Sequence, residues 1–343
     1  MIGNILVTEP EFEKGRNVFE NTTSLTCCPC SPEETKLAAR VREEGSRAVV
    51  VGIQRYAGDL YDALGESGRE DGAIIARFGV GHDGIDKKLA RENGIVVTNT
   101  PGVLDKSVAE HVIALMLSLA RYIPGLHGKM IQHKWKPQTG TELGGKNLLV
   151  VGFGSIGKLV ASAAASGLGM KVTAADLINP QDLEQREGMP MESIKEKHQI
   201  ARYVTDVDGV LVDADVVTLH VPGNEKTEAF FGANRMSRMK REAFLINTSR
   251  GSVVNETELY DMLAESRIAG AALDVFQEEP YRPEEPERDL RSLPNVVLTP
   301  HVGSNTRESN ERMARAAFEN VKNFLLGERD NLTEVGNTNN VLF

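Results

Sequence analysis

Residues Leu148–Gly167 read LLVVGFGSIGKLVASAAASG. An apolar run, NLLVV at 147–151, stops at Gly152-x-Gly154-x-x-Gly157, and a small-residue, helix-forming segment follows. The order strand, glycine turn, helix gives this spacing its mechanism. Gly152 permits a tight turn and Gly154 lets backbone approach a pyrophosphate. Gly157 and the alanines of 161–165 allow close helix–strand packing. The helix N-terminus then offers free N–H groups and a partial positive charge to phosphates. Nineteen residues past Gly157, Asp176 closes the next apolar run, KVTAA at 171–175. A carboxylate there can accept hydrogen bonds from ribose hydroxyls. Leu177, Ile178 and Asn179 follow it, with no Arg or Lys among them. A 2′-phosphate would meet an acid without a cation, so the expected cofactor is NAD(H) rather than NADP(H).

Four more apolar runs follow in this half: DVVTL (215–219), AFLIN (243–247), AGAAL (269–273) and NVVLT (295–299). Beyond the six runs, in order, come Gly152, Asp176, His220, Thr248-Ser249-Arg250, Asp274 and His301. If the runs are parallel strands, all six features share the carboxyl edge of one sheet, where open α/β sheets bind ligands.

The earlier part repeats the alternation, with runs at 4–8, 47–52, 72–76 and 94–98. Between them, EETKLAARVREEG (33–45) places Leu37, Ala38 and Val41 on one helical face. Alternating strands and helices predict parallel sheets. Ser107 and Glu110 fit a capping box at the start of the next helix, so Glu110 reads as a cap and not as a catalyst. From 307, RESNERMARAAFENVKNFLLGE predicts one long helix with a stripe of Met313, Ala316, Ala317, Val321 and Phe324. The polar segment 178–209 reads as an insertion without an evident role.

The chain has 343 residues, 41% hydrophobic and 26% charged, which predicts two domains of ordinary globular composition. A net charge of −10 disfavours nucleic acid and anionic membrane as partners. The N-terminus lacks the pattern of a secretory signal. The apolar run VIALMLSLA (112–120) is too short to span a bilayer and reads as a core helix. A cytoplasmic location is the expectation. Cys27, Cys28 and Cys30 form one C-x-x-C without a second pair, so they read as reduced thiols in a loop rather than a zinc site. No H-E-x-x-H and no G-x-S-x-G occurs, which speaks against a zinc protease and an α/β-hydrolase.

A nicotinamide dinucleotide implies hydride transfer. The protein must then move a proton at the substrate oxygen, for which histidine is the usual carrier, with arginine as the carboxylate clamp. His220 and His301 both end strands in the second half, and spacing alone does not choose between them.

From about Ile74 to Ser304 the chain resembles the D-isomer-specific 2-hydroxyacid dehydrogenases. The matching pieces are RFGVGHDGID (77–86), TNTPGVLDKSVAEHVIALMLSLAR (98–121), VGFGSIGK, LHVP (219–222), LINTSRGSVVNE (245–256), AALDVFQEEP (271–280) and LTPHVGS (298–304). The resemblance implies an α/β fold of two Rossmann- and flavodoxin-like domains with doubly wound parallel sheets. Residues 1–104 and 304–343 would form a substrate-binding domain, and 105–303 an NAD-binding domain. It implies Arg250 as the substrate clamp, His301 as general acid/base and Glu279 as its acidic partner, since a carboxylate favours the imidazolium. It implies Asp274 at the nicotinamide carboxamide. Ser155, Ile156, His220, Val221, Pro222, Thr248, Ser249 and Gly303 would line the cofactor cleft. Val80 and Gly81 would bind the substrate carboxylate, with Arg77 adding a cation. The implied reaction interconverts a D-2-hydroxy acid and its 2-oxo acid, with 3-phosphoglycerate or hydroxypyruvate/glyoxylate favoured. A homodimer is implied too, with the helix around 107–122 and the arm after it near the interface. Phosphite or formate dehydrogenases and NAD-binding co-repressors share the scaffold and remain open at this point. Ala175 stands where an aromatic residue is frequent in the family.

Overall fold

The computed structural model describes residues 4–23 and 25–335. They fall into two compact units, Met1–Leu104 with Ser304–Phe343, and Asp105–Gly303. Unit 1 begins with β1 (Ile5–Thr8), α1 (Glu9–Lys14), α2 (Arg16–Phe19), β2 (Cys27–Cys30), α3 (Glu34–Glu44) and β3 (Ala48–Val51). It continues through α4 (Asp59–Ser67), β4 (Ala73–Arg77), α5 (Lys87–Glu92) and β5 (Ile95–Thr98). Five parallel strands lie in the order β2-β1-β3-β4-β5. β1, β3 and β4 are buried along their whole length, which explains their unbroken apolar sequence. α3 buries Leu37, Ala38 and Val41, all at 0% exposure, and stops at Gly45 in the left-handed region (φ 60). Burying Leu37 and Val41 stabilises by roughly 1.5–3 kcal/mol each before entropy is counted.

One strand was hidden in the sequence. CCPC forms the edge strand β2, where the cysteines read as a loop. Pro29 is tolerated because an edge strand needs only one row of ladder bonds. Cys27 and Cys30 lie on opposite faces of the strand and are both buried, which pushes their thiols up to about 11 and about 12. The switch-point crevice of this sheet, between β1 and β3, is plugged. Glu11 is 4% exposed, accepts from Thr8 Oγ1 and lies over Gly52, where a Cβ would sit 2.3 Å from its Oε1.

Unit 2 opens with α6 (Asp105–Ala120) and α7 (Ile123–Ile131). Helix α6 starts two residues before Ser107, so the expected capping box does not form. Ser107 is buried inside the helix, and Glu110 pairs with Lys106 on the exposed face. Then come β6 (Asn147–Val151), α8 (Ser155–Leu168), β7 (Lys171–Ala175), α9 (Pro180–Glu187), α10 (Met191–His198) and β8 (Arg202–Val204). The unit closes with β9 (Val216–Leu219), α11 (Ala233–Met236), β10 (Phe244–Asn247), α12 (Glu256–Ala264), β11 (Gly270–Leu273) and β12 (Val296–Leu298). Seven parallel strands run β12-β11-β10-β9-β6-β7-β8. The fold class expected from the sequence is the one observed. The segment 178–209, however, is no loose insertion: it holds two helices and the edge strand. α13 (Arg307–Leu325) belongs to unit 1 and packs on β4 and β3. Of its expected stripe, Ala316 sits at the margin, while Ala314 and Phe318 are buried beside Met313, Ala317, Val321 and Phe324.

Among the described residues no helix is long and apolar enough to cross a membrane.

Candidate active site

The chain leaves β6 toward β7 and β8, then jumps to β9 on the other side of β6. The loops after β6 and β9 therefore diverge and open a crevice at the carboxyl edge of the seven-stranded sheet. Gly152 lies there at φ 94, and a Cβ on it would meet His220 O at 2.5 Å. A Cβ on Gly157 would meet Gly152 O at 2.1 Å. Any side chain at either position would push the turn apart. Gly154 precedes α8 without a side-chain cap, leaving the N–H groups of Ser155 and Ile156 at the helix mouth.

Asp176, just past β7, turns its carboxylate toward this loop. Oδ2 accepts from Phe153 N at 2.7 Å and Oδ1 from Ile178 N at 3.1 Å. Each oxygen keeps a second lone pair for a ribose. The segment after β7 backs the same loop. His198 of α10 stands edge-on to Phe153 at 5.6 Å, and Tyr203 of β8 lies at 5.9 Å with its hydroxyl on Ile178 O at 2.7 Å. Lys158, one residue past the fingerprint, is tied to Glu187 of α9. These contacts escaped sequence reading because the segment has no periodic pattern.

His220 follows β9, with Nε2 3.0 Å from Thr218 Oγ1. Burial drives its pKa down to about 3, so the ring is neutral at physiological pH. Val221 and Pro222 continue this wall, and Pro222 O accepts from Thr227 Oγ1 at 2.5 Å. Beyond β10, Asn247 organises the turn, a role its strand-end position did not reveal. Its Oδ1 accepts from Ser249 N at 3.0 Å and Ser249 Oγ at 2.7 Å, and its Nδ2 donates to Arg250 O at 2.8 Å. Arg250 donates through Nη1 to Ser249 O at 2.6 Å. The Thr248 hydroxyl is buried without a hydrogen-bond partner among the described residues.

Asp274, past β11, is 1% exposed and forms a knot. Oδ1 accepts from Thr299 Oγ1 at 2.6 Å and Val302 N at 2.9 Å, and Oδ2 accepts from Gly303 N at 2.8 Å. His111 Nε2 of α6 lies 3.3 Å from Oδ1 and 3.1 Å from Thr299 Oγ1. Burial alone would raise the Asp274 pKa. The donors His111, Thr299, Val302 and Gly303 outweigh it and hold the carboxyl below the usual range. This knot positions the turn after β12. His301 sits there at φ 52, in the left-handed region, with its N–H on Asp274 O at 2.8 Å.

His301 Nδ1 lies 2.7 Å from Glu279 Oε2, and Glu279 Oε1 accepts from Phe276 N at 3.1 Å. Burial raises the Glu279 pKa, but the hydrogen bond and charge of His301 prevail and lower it. An ionised Glu279 only accepts, so Nδ1 carries the proton and Nε2 is left for a ligand. Glu278 pairs with Arg282 on the exposed surface. His301, Glu279, Arg250 and Asp274 thus share the carboxyl edge of one sheet, within unit 2.

In unit 1 the loop after β4 is held from within. Arg77, 8% exposed, donates through Nε to Gly81 O at 2.7 Å and through Nη1 to Phe78 O. Thr100 N donates to Gly79 O at 3.0 Å and Asn99 Nδ2 to Val80 O at 2.9 Å. Four consecutive carbonyls are taken, which fixes the backbone at Val80 and Gly81. Arg77, expected to add a cation on the substrate side, makes these two bonds within the loop that carries Val80 and Gly81.

Residues 113–303 match the family model described as D-isomer specific 2-hydroxyacid dehydrogenase, NAD binding domain. A glyoxylate reductase of Korarchaeum cryptofilum is 40% identical over 261 residues, covering 74% of each chain. A D-3-phosphoglycerate dehydrogenase of Methanocaldococcus jannaschii is 33% identical over 326 residues, 94% of this chain and 58% of that one. The NADPH-dependent glyoxylate/hydroxypyruvate reductase of Sinorhizobium meliloti, solved with NADP and malonate, superposes with a TM-score of 0.79. It is 28% identical and covers 98% of this chain and 97% of its own.

Proposed function

The chain belongs to the D-isomer-specific 2-hydroxyacid dehydrogenases, and on that premise we propose that His301, Glu279 and Arg250 are its catalytic residues. The enzyme is a nicotinamide-dependent oxidoreductase that interconverts a D-2-hydroxy acid and its 2-oxo acid. The single observation that carries the assignment is the 2.7 Å contact between His301 Nδ1 and Glu279 Oε2, at the sheet edge that also bears Arg250.

The cofactor, when bound, supplies the hydride. The glycine turn at 152–157, the mouth of α8 with Ser155 and Ile156, and Asp176 are proposed to hold it. His220, Val221, Pro222, Thr248, Ser249, Asp274 and Gly303 are proposed to line its cleft. The Thr248 hydroxyl, buried without a hydrogen-bond partner among the described residues, fits such a ligand. During reduction His301 Nε2 gives its proton to the substrate carbonyl oxygen, while Glu279 holds Nδ1 and stabilises the charged ring. Arg250 grips the carboxylate and polarises the carbonyl. In the reverse direction His301 takes the hydroxyl proton. Val80 and Gly81 in unit 1 are proposed as backbone donors for a carboxylate.

NAD(H) is the proposed cofactor, because Asp176 would repel a 2′-phosphate. The proposed substrate is 3-phosphoglycerate or hydroxypyruvate/glyoxylate, with Arg77 proposed to add a cation on the substrate side; relatives carry the names glyoxylate reductase, hydroxypyruvate reductase and D-3-phosphoglycerate dehydrogenase. A homodimer is proposed through the α6–α7 region. α7 buries none of its residues, and Ile123, Met130, Ile131 and Trp135 are 53%, 52%, 65% and 82% exposed. Sedimentation as a monomer at micromolar concentration would refute the dimer. The proposed setting is the cytoplasm, in keeping with three unpaired cysteines.

The test of function is oxidation of NADH and NADPH against glyoxylate, hydroxypyruvate, 3-phosphohydroxypyruvate and pyruvate, with wild type and His301→Asn. Turnover of at least one of these 2-oxo acids with NADH, falling at least ~10²-fold in the variant, is expected. Turnover by the variant close to wild type would refute the role of His301.

A further inference from the structure

Glu256 is the first residue of α12 and lies outside the groups proposed to touch substrate or cofactor. It is nevertheless a carboxylate only 7% exposed. Its Oε1 accepts from Gln277 N at 2.6 Å, and its own N–H reaches Gln277 Oε1 at 3.4 Å. Gln277 lies two residues before Glu279, whose Oε1 holds Phe276 N. The other side of the same peptide is closed by Gly251, next to Arg250. A Cβ there would fall 1.9 Å from Phe276 C and 2.4 Å from Gln277 N. Loop 276–279 is thus gripped by Glu256 on one side and pressed by the Arg250 turn on the other.

We propose that Glu256 is a positioning residue: its carboxyl fixes the 276–279 backbone so that Glu279 Oε2 stays in register with His301 Nδ1. The proposal rests on the reading of Glu279 and His301 as the proton-handling pair. Charge fits the role. The charged groups that face Glu256 are acidic, Glu279 and Glu284, and Tyr281 is the other titratable neighbour. Burial first of all, then those two acids, push its pKa up to about 7, against the pull of the Gln277 N–H. A carboxyl oxygen accepts from Gln277 N in either protonation state, so the brace does not depend on ionisation. α12 anchors the brace, because Asn255 caps it by accepting from Glu258 N at 3.0 Å, and Leu259, Met262 and Leu263 are buried in the core.

The experiment is a double-mutant cycle with Glu256→Ala and Glu279→Gln, read as kcat and KM for NADH with the best 2-oxo acid. Glu279→Gln is expected to lower kcat by roughly 10- to 100-fold. Glu256→Ala is expected to lower kcat by roughly 5- to 20-fold with KM for NADH within about twofold. The double variant should be no worse than Glu279→Gln alone, because Glu256 acts only through Glu279. Losses that multiply in the double variant overturn the proposal while leaving the Glu279–His301 pair standing. Full activity of Glu279→Gln removes the pair itself, and the proposal with it. If Glu256→Ala does not fold, Glu256→Gln replaces it. Its amide oxygen can still accept from Gln277 N, so kcat should stay within about threefold of wild type. A loss as large as that of Glu279→Gln would overturn the brace.

Discussion

Asp274→Asn isolates the knot behind His301. In wild type, Thr299 Oγ1, Val302 N and Gly303 N all donate to one buried carboxylate, with His111 beside it. An amide keeps a single acceptor. Whichever way it turns, its NH₂ faces Val302 N or Gly303 N, and one buried backbone donor loses its partner. That loss costs ~1–3 kcal/mol, and hydrogen bonds to a charged acceptor exceed neutral ones by a further ~1 kcal/mol each. A total of ~2–5 kcal/mol follows, or a fall in Tm of ~4–20 °C for a unit of roughly 150–250 residues. Acid supplies the second readout. The folded Asp274 pKa is depressed, so its stabilisation is present above the ordinary carboxylate pKa and is lost as pH falls through the folded value. The gap in Tm between wild type and variant should therefore be largest near pH 7 and shrink below about pH 4. Calorimetry across that range is the assay. A Tm within ~2 °C of wild type at pH 7, or a gap indifferent to acid, would show that the knot does not hold the turn.

Three further outcomes are expected. Gly157→Ala should raise the Kd for NADH by at least ~10-fold by titration calorimetry, since its Cβ would lie 2.1 Å from Gly152 O; unchanged affinity would contradict the glycine turn as a cofactor cradle. His220, neutral when folded with a pKa of about 3, binds a proton on unfolding below about pH 6.5. Stability should thus fall by at most ~1.4 kcal/mol per pH unit from there toward pH 3, and His220→Gln should flatten that slope in urea titrations. Thiol labelling of the native protein at pH 8 should reach Cys28 first, because Cys27 and Cys30 are buried with pKa values of about 11 and about 12; rapid labelling of all three would argue against a buried β2.

Six of the seven strands of the second sheet were legible because each is a short apolar run followed by a glycine or a polar group, and that punctuation also marked the site. Residues whose work is to hold others were not legible. Asn247, Thr299, His111 and Glu256 act on neighbours that are distant in sequence or on backbone atoms, and neither leaves a local pattern. β2 was missed because proline and three cysteines do not resemble a strand, although an edge position tolerates them. β8 and the helices before it were missed because the segment has no periodic pattern, and His198 and Tyr203 pack on Phe153 of the distant glycine turn.

The left-handed backbone of His301 bears on how this position could change over generations. Most side chains at φ 52 cost ~1–2 kcal/mol, whereas histidine, asparagine and aspartate tolerate it comparatively well. Of those three, only histidine exchanges a proton near neutrality at its ordinary pKa. Lysine or glutamate at 301 would bring proton chemistry at the cost of the turn, and asparagine would keep the turn at the cost of the proton. Single substitutions at this position therefore lead away from activity along either path, and a new acid/base at this sheet edge would have to arise at another residue.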